Sequence, residues 1–194
     1  MDALEAIITR RSTRKYDNKM PSKELIGKVI EAGRHAPSGH NNQSTHFLVI
    51  TDPKVLDSLA GLVKGEFAAM ETRPDMYVSM RNAIERAKKE GYVFHYGAPV
   101  LVVVANRKGY GNAIADSSCA MENMMVAANA LDLGTCWINQ LHWLDDNARV
   151  RSFLSGLGLG EDETVTAAMA LGYSAEGLPN RTPLERKGNP VTYC

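Results

Sequence analysis

Cysteine is scarce in this sequence, and the few that occur form no recognisable motif. The three cysteines, Cys119, Cys136 and Cys194, are odd in number and fit neither a disulfide framework nor a CxxC metal pattern. The five histidines also lack metal-ligand spacing. We therefore expect free thiols in a reducing cytoplasm and no metal site.

Net charge is absent as well, because 22 Lys and Arg residues balance 22 Asp and Glu residues. A neutral chain has no overall attraction to nucleic acid or to an acidic membrane. The N-terminal residues show a helical pattern with acidic and basic side chains, which is neither a signal peptide nor a membrane span. We expect a cytoplasmic protein without nucleic-acid or membrane partners, folded as a single domain over residues 1–194.

A catalytic motif is the third absence. No local pattern supports a Cys-His or Ser-His nucleophilic site, and no side chain stands out as a general acid or base. If the protein is an enzyme, this favours a cofactor that supplies the reactivity.

Residues 99–139 carry the strongest secondary-structure signals that are present. Residues 99–105 form a continuous apolar run rich in β-branched side chains, which predicts a strand buried on both faces. Residues 113–133 contain no Gly or Pro, which predicts a helix, and Gly134 ends it before a second strand at 135–139. Because this helix is apolar on most sides, we expect several neighbours around it, and a second copy of the protein is one candidate.

Shorter elements and two unusual segments surround this unit. Residues 65–96 mix Met and aromatic side chains with Arg and Lys, which predicts one or two helices lying over a flat organic ligand or, equally, ordinary core packing. The tail at 173–194 has too few apolar residues for a core of its own, so it must lie on a surface already formed. The remaining patterns predict helices near 4–8 and at 22–33, 53–64 and 145–154, and strands at 46–50 and 164–172.

Two short segments are candidate binding sites. Arg10, Arg11, Ser12 and Arg14 place four donors in five residues, which suits a phosphate group, although a solvated basic face is the simpler alternative. Residues 36–44 are rich in polar and turn-forming types and lie between a helix and a strand. Such a loop suits a ligand site better than a core.

Taken together, these segments resemble the FMN-dependent nitroreductase family over nearly the whole chain. The motifs that carry the resemblance occur in order at residues 10–16, 36–43, 97–100, 116, 123–127, 134–138 and 171–173. The resemblance implies an α+β fold with a mixed, mostly antiparallel sheet wrapped by helices. It also implies an intertwined homodimer with exchanged C-terminal tails and two FMN molecules at the interface.

The resemblance further implies a role for each matching residue. Arg10 and Ser12 would bind the FMN phosphate, Arg11 would contact the cofactor, and Arg14 would reach the pyrimidine edge of the flavin ring. Further cofactor-binding positions would be Pro37, Ser38, Gly39, Asn41 and Gln43 in a loop from the other subunit, backbone groups of Trp137, Ile138 and Asn139 beside flavin N5, and Arg181 in the tail.

The implied activity is an oxidoreductase that passes electrons from NADH or NADPH through the flavin to a nitroaromatic, a quinone or a similar electron-poor acceptor. No protein side chain would be catalytic in the strict sense. A reductive dehalogenase or natural-product oxidase of the same superfamily is one alternative, and a non-catalytic flavin-binding or redox-sensing module is another.

Overall fold

The computed structural model describes residues 1–177 and 181–194. Helices and strands alternate irregularly along the chain, as an α+β fold requires. In order, the elements are α1 (Ala3–Thr9), α2 (Lys23–Arg34), β1 (His46–Ile50), α3 (Pro53–Ala68), α4 (Val78–Ala87), β2 (Val100–Arg107), α5 (Ala113–Ala130), β3 (Gly134–Ile138), α6 (Gln140–Trp143), α7 (Ala148–Ser155) and β4 (Glu163–Gly172).

The strands form one four-stranded sheet in the order β1-β2-β4-β3, and each of these pairings is antiparallel. Both central strands are almost continuously buried. Along β2, Leu101, Val103 and Ala105 face one hydrophobic cluster, whereas Val100, Val102 and Val104 face a second. A strand covered on both faces needs apolar side chains at successive positions, which explains the continuous run in the sequence.

Helices cover the two faces of the sheet unequally. One cluster gathers side chains of α3, α4, α6 and α7. On the other face α2 and α5 pack together, and α5 also contacts α1, β2, β3 and β4. The expectation of several neighbours around the long helix is therefore confirmed within a single chain, and the predicted α+β class is confirmed as well.

Local capping decides where two helices differ from their predicted bounds. The helix predicted over 145–154 begins only at Ala148, because the Asn147 side chain accepts hydrogen bonds from the N–H groups of Arg149 and Val150, both at 3.1 Å. The long helix ends at Ala130 rather than at 133, and Asp132 then takes a positive φ of 61°. The helix predicted at 53–64 extends to Ala68, the other boundaries agree within two residues, and the strand predicted at 46–50 is observed there.

The segments predicted as a ligand-covering region and as a tail are also visible. Between 65 and 96 the structure has the end of α3 and the whole of α4. The tail has no helix or strand in its described part, and residues 178–180 lie outside the described residues. No helix among the described residues is both long and apolar enough to span a membrane.

Candidate functional site

The basic segment predicted to bind phosphate lies along the edge of the sheet. Ser12 forms a parallel bridge with Thr135 of β3, and the N–H of Thr13 donates to the Thr135 carbonyl at 2.8 Å. Gly134 allows this approach, because a Cβ there would lie 2.8 Å from the Thr13 Cβ. The backbone pairing thus places Ser12 and Arg14 beside β3.

A cavity of about 1010 Å³ opens next to this segment. Four of the predicted cofactor-binding residues line it: Ser12, Arg14, Trp137 and Asn139. Ile138, predicted with them, is only 1% exposed and its side chain packs in the core, so only its backbone can border the cavity.

Positive charge dominates this cavity. Among the described residues that line it, Arg14 and Arg86 are the charged ones, and none is acidic. Burial raises the pKa of the Cys136 thiol, while Arg14 and Ser12 oppose the rise, so the thiol stays protonated at neutral pH. Burial alone would lower the pKa of Arg14, but Cys136 and Tyr96 outweigh it and raise that pKa above its ordinary value.

Side-chain hydrogen bonds fix the part of the cavity wall that is formed by the end of β3 and the start of α6. The Trp137 indole Nε1 donates to the Asn139 Oδ1 at 2.6 Å, so the Asn139 side chain is engaged with its neighbour. The Gln140 Nε2 donates to the Tyr92 hydroxyl at 3.2 Å. These contacts leave the backbone groups of residues 137–139 to form hydrogen bonds with a ligand along this side of the cavity.

Arg10 lies at the other side of the basic segment. Its Nε is 3.5 Å from a Glu122 carboxylate oxygen, and its Nη1 is buried with no hydrogen-bond partner among the described residues. Arg11 Nη1 donates to the Thr182 carbonyl at 3.4 Å, which brings the tail to this segment. A buried guanidinium nitrogen without a partner is costly, so an anion at this position would be stabilised.

Arg181 is held close to the C-terminal end of α5. Its Nη2 is hydrogen-bonded to the Asp132 carboxylate and donates to the Asn129 carbonyl at 3.3 Å. Its Nε is buried and has no partner among the described residues. The structure therefore places Arg181 next to the Arg11 contact and pairs it with a carboxylate.

The loop predicted to come from the other subunit lies elsewhere on the protomer. Asn41 and Gln43 line a separate cavity of about 410 Å³. Ser38 Oγ accepts the N–H of Gln43 at 3.0 Å, and the Gln43 Nε2 donates to Asn41 Oδ1 at 3.0 Å. Pro37 is exposed at the start of the loop.

This loop is strained and anchored. His40, Asn41 and Gln43 adopt positive φ values of 52°, 56° and 48°, which non-glycine residues rarely take. Gly39 approaches the turn before α5 so closely that a Cβ would lie 2.6 Å from the Tyr110 hydroxyl oxygen. Strained loops held by their surroundings are common at ligand sites.

The predicted residues thus form two groups on one protomer. Ser12, Arg14, Trp137 and Asn139 surround the large cavity, whereas Asn41 and Gln43 line the smaller one, and the two linings share no residue. A single chain does not bring the whole predicted set together.

Sequence reasoning missed much of the large cavity. The residues that it did not single out include Ser79, Asn82 and Arg86 on α4 and Trp143 on α6, whereas Tyr92 and Tyr96 are aromatic residues of the segment predicted to lie over a flat ligand. The spacing of the three α4 residues was visible, but a polar helix face is usually a solvated one. Among the described residues, no group of three or more His, Cys, Asp or Glu side chains is placed to hold a metal ion.

Comparison with known proteins identifies relatives over the full chain. The sequence model of the nitroreductase family matches residues 7–173. The crystal structure of a nitroreductase with bound FMN from Bacteroides fragilis NCTC 9343 is 36% identical, covers 100% of this chain and 99% of its own, and gives a TM-score of 0.87. A nitroreductase with bound FMN from Desulfitobacterium hafniense DCB-2 is 27% identical, with coverage of 99% and 100% and a TM-score of 0.81.

A curated relative also matches nearly the whole chain. The NADH dehydrogenase of Thermus thermophilus is 28% identical over 201 residues, which cover 96% of this chain and 94% of that protein.

Proposed function

Because the chain belongs to the nitroreductase family, we propose that it is an FMN-dependent oxidoreductase that uses NADH or NADPH as electron donor. The observation that carries this proposal is the cavity of about 1010 Å³ shared by Ser12, Arg14, Trp137 and Asn139. Those residues come from two segments far apart in sequence. The sequence resemblance assigns all four to one cofactor.

The residues present fit FMN. Arg10 Nη1 and Arg181 Nε are buried donors without a partner among the described residues, as expected where a phosphate is to be bound. Ser12 and Arg14 supply a hydroxyl and a guanidinium to the cavity lining. The cavity also has aromatic side chains, including Tyr96 and Trp137, which suit a flat ring.

FMN, when bound, supplies the redox chemistry by taking two electrons from the nicotinamide and passing them to an acceptor. The chain's own residues bind and orient the reactants. Arg14 places a positive charge in the cavity, where it stabilises any negative charge that develops nearby. Tyr92 and Trp143 line the cavity and pack against the hydrophobic core.

We propose that electron-poor aromatic compounds and quinones are the acceptors. For a nitroaromatic the balanced reaction is ArNO2 + NAD(P)H + H⁺ → ArNO + NAD(P)⁺ + H2O. Donor and acceptor occupy the same cavity in turn, so a ping-pong sequence follows.

We also propose that two copies of the chain form a homodimer that completes each site. The loop with Asn41 and Gln43 is separated from the large cavity within one protomer, and a second protomer can supply it. Exposed apolar side chains support this arrangement. They are Leu4, Ile7 and Ile8 on α1 and Ile114 on α5, which are 74%, 50%, 51% and 62% exposed.

One anaerobic experiment tests the function. The purified protein is reconstituted with FMN, and NADH and NADPH are added separately while flavin absorbance is recorded. We expect bleaching by at least one nicotinamide and recovery, over many turnovers, when nitrobenzene or a benzoquinone is added. A bound flavin that neither nicotinamide bleaches would contradict the proposal and favour a non-catalytic flavin-binding module.

A further inference from the structure

The helix α4 presents an unpaired polar face to the large cavity. Ser79, Asn82 and Arg86 are spaced by three and four residues, so they lie on one side of the helix, and all three line the cavity. Over this interval a helix rises roughly 10 Å, so the polar face runs along much of the cavity wall.

No group among the described residues forms a hydrogen bond or ion pair with the side chains of this face. The side chains of Ser79, Asn82 and Arg86 make no hydrogen bond or ion pair with any of the described residues. Glu85, the nearest acidic residue on the helix, already forms an ion pair with Lys88, with an N–O distance of 3.0 Å. Arg86 is therefore a solvent-exposed cation on the cavity lining that has no counter-ion among the described residues.

The facing walls are aromatic and already hydrogen-bonded. Tyr92 receives its bond from Gln140 at 3.2 Å. Trp143 is fixed by edge-to-face contacts with Phe67 at 6.4 Å and Tyr77 at 6.2 Å between ring centroids. A ligand in this space therefore meets flat apolar surfaces on one side and unpaired donors on the other.

We propose that the acceptor of this enzyme is an aromatic compound bearing a carboxylate, and that Arg86 and Asn82 bind that carboxylate. The Arg86 fork matches the two oxygens of a carboxylate, and the Asn82 amide adds a third donor. The ring lies against Tyr92 and Trp143. This inference rests on the proposed function, since it names the substrate class of the same site.

A carboxylate fits better than the phosphates of the nicotinamide. A dinucleotide carries at least two phosphate charges, whereas Arg86 is the one cation left in the described cavity lining once Arg14 is assigned to the flavin. One unpaired arginine beside aromatic walls suits a single negative charge on a flat ring.

The test compares 4-nitrobenzoate with 4-nitrobenzamide, which has nearly the same shape and no charge. The FMN-loaded protein is first reduced chemically, and the second-order rate constant of its reoxidation by each compound is measured by stopped flow. Wild type, Arg86→Gln, Arg86→Lys and Lys89→Gln are compared. Lys89→Gln removes the same charge from an exposed residue that does not line the cavity.

We expect the preference for nitrobenzoate to fall about tenfold or more in Arg86→Gln, as the loss of one charge-assisted contact predicts. It should persist in Lys89→Gln and be partly retained in Arg86→Lys. Because the ratio of the two rate constants is compared between variants, the intrinsic difference in reactivity of the two compounds cancels. An equal ratio in wild type and Arg86→Gln would overturn the proposal.

Two further measurements separate the possible failures. Calorimetric titration of the purified protein with benzoate and benzamide should show benzoate binding that Arg86→Gln abolishes, and this readout does not require turnover. Absence of that binding overturns the carboxylate site even if nicotinamides bleach the flavin. If Arg86→Gln instead slows only flavin reduction by NADPH, Arg86 binds the dinucleotide and the proposal is wrong.

Discussion

The Asp116 carboxylate accepts the backbone N–H of Gly39, with N–O distances of 3.1 and 3.2 Å to its two oxygens. This bond ties the loop carrying Asn41 and Gln43 to α5. The carboxylate also accepts the Tyr110 hydroxyl at 2.9 Å, and Asp116 is only 6% exposed. Asp116 is therefore a positioning residue for the loop that we assign to the partner's flavin.

Replacement of this carboxylate is expected to release the loop. Asp116→Ala should lower the free energy of unfolding by about 1–3 kcal/mol, because the Gly39 N–H loses a charged acceptor in a partly buried place. FMN affinity should fall as well, and both changes can be measured by urea unfolding and flavin fluorescence titration.

Tyr110→Phe is the matched control for Asp116→Ala. It removes a hydroxyl that contacts the carboxylate at 2.9 Å and the Gly39 carbonyl at 3.3 Å, but it leaves the Gly39 N–H bonded to Asp116. We expect a smaller effect on FMN affinity than that of Asp116→Ala. Equal FMN affinity in wild type and Asp116→Ala would show that the loop does not contact the cofactor.

Arg10 and Ser12 are expected to bind the FMN phosphate. Arg10→Ala and Ser12→Ala should each weaken FMN binding, since a charge-assisted hydrogen bond contributes about 1.5–3 kcal/mol, or roughly one to two decades in affinity. The dissociation constant of FMN is measured by fluorescence quenching, with circular dichroism as a check on the fold.

Arg149→Ala provides the comparison for the phosphate prediction. Arg149 pairs with Glu66 at 2.6 Å on an exposed side of α7 and lines neither the large cavity nor the smaller one. It should bind FMN as the wild type does. If Arg10→Ala and Ser12→Ala also retain wild-type affinity, the phosphate binds at another place.

Dimerisation is expected to depend on the exposed apolar face of α1. Interfaces of obligate dimers bury thousands of Å² of largely apolar surface. Ile7→Asp should therefore shift the protein toward the monomer in sedimentation velocity and lower its FMN content. Leu157→Asp, at a residue 38% exposed in the loop after α7, should leave the dimer intact. A wild type that sediments as a folded, flavin-loaded monomer would contradict the prediction.

The sequence predicted those parts of the molecule in which local pattern decides the structure. The run at 99–105 required a strand covered on both faces, and the structure has Val100–Arg107 at the centre of the sheet. The donors and the resemblance assign the segment with Ser12 and Arg14 to a cofactor; both residues line the large cavity, and their contact with a cofactor stays a prediction.

Tertiary packing decides the parts that the sequence did not predict. The polar face of Asn82 and Arg86 looks like a solvated helix face until the chain after α4 places Tyr92 beside it. The engagement of Asn139 with Trp137 likewise depends on the turn after β3. Neither relationship leaves a periodic signal in the sequence.

His95 is expected to make stability depend on pH. It is 4% exposed, both ring nitrogens lack a hydrogen-bond partner among the described residues, and burial lowers its pKa. A lowered pKa means that the unfolded chain binds a proton more readily than the folded one. The free energy of unfolding therefore rises with pH between the lowered pKa of the folded protein and the ordinary pKa of histidine. Below the ordinary pKa of histidine, about 6.5, folding must keep the ring neutral and the free energy of unfolding falls.

The measurement is urea unfolding at several pH values between 5 and 8. His95→Phe and His95→Gln should both lose less stability than the wild type between neutral and acidic pH, because neither has a ring that titrates. Phe keeps an aromatic ring against Phe94, which the wild-type imidazole meets edge-on at 5.2 Å between centroids. Identical pH dependence in all three proteins would rule out this role for His95.

Arg14 is expected to tune the flavin potential more than flavin affinity. Two-electron reduction places negative charge on the N1/O2 edge of the flavin, and a guanidinium at that edge stabilises the reduced form more than the oxidised one. Arg14→Ala should therefore lower the midpoint potential and slow reduction by nicotinamide, while oxidised FMN binds only slightly less tightly. About 30 mV corresponds to ~1.4 kcal/mol for a two-electron couple, so a partly solvent-screened contact should shift the potential by a few tens of millivolts.

Arg14→Lys separates charge from geometry in this prediction. Lysine keeps the positive charge but lacks the planar fork, so it should recover part of the lost potential. Spectroelectrochemical titration of wild type, Arg14→Ala and Arg14→Lys measures the three midpoints directly. The same midpoint in wild type and Arg14→Ala would place the guanidinium away from the reduced ring, although Arg14 lines the cavity beside Trp137.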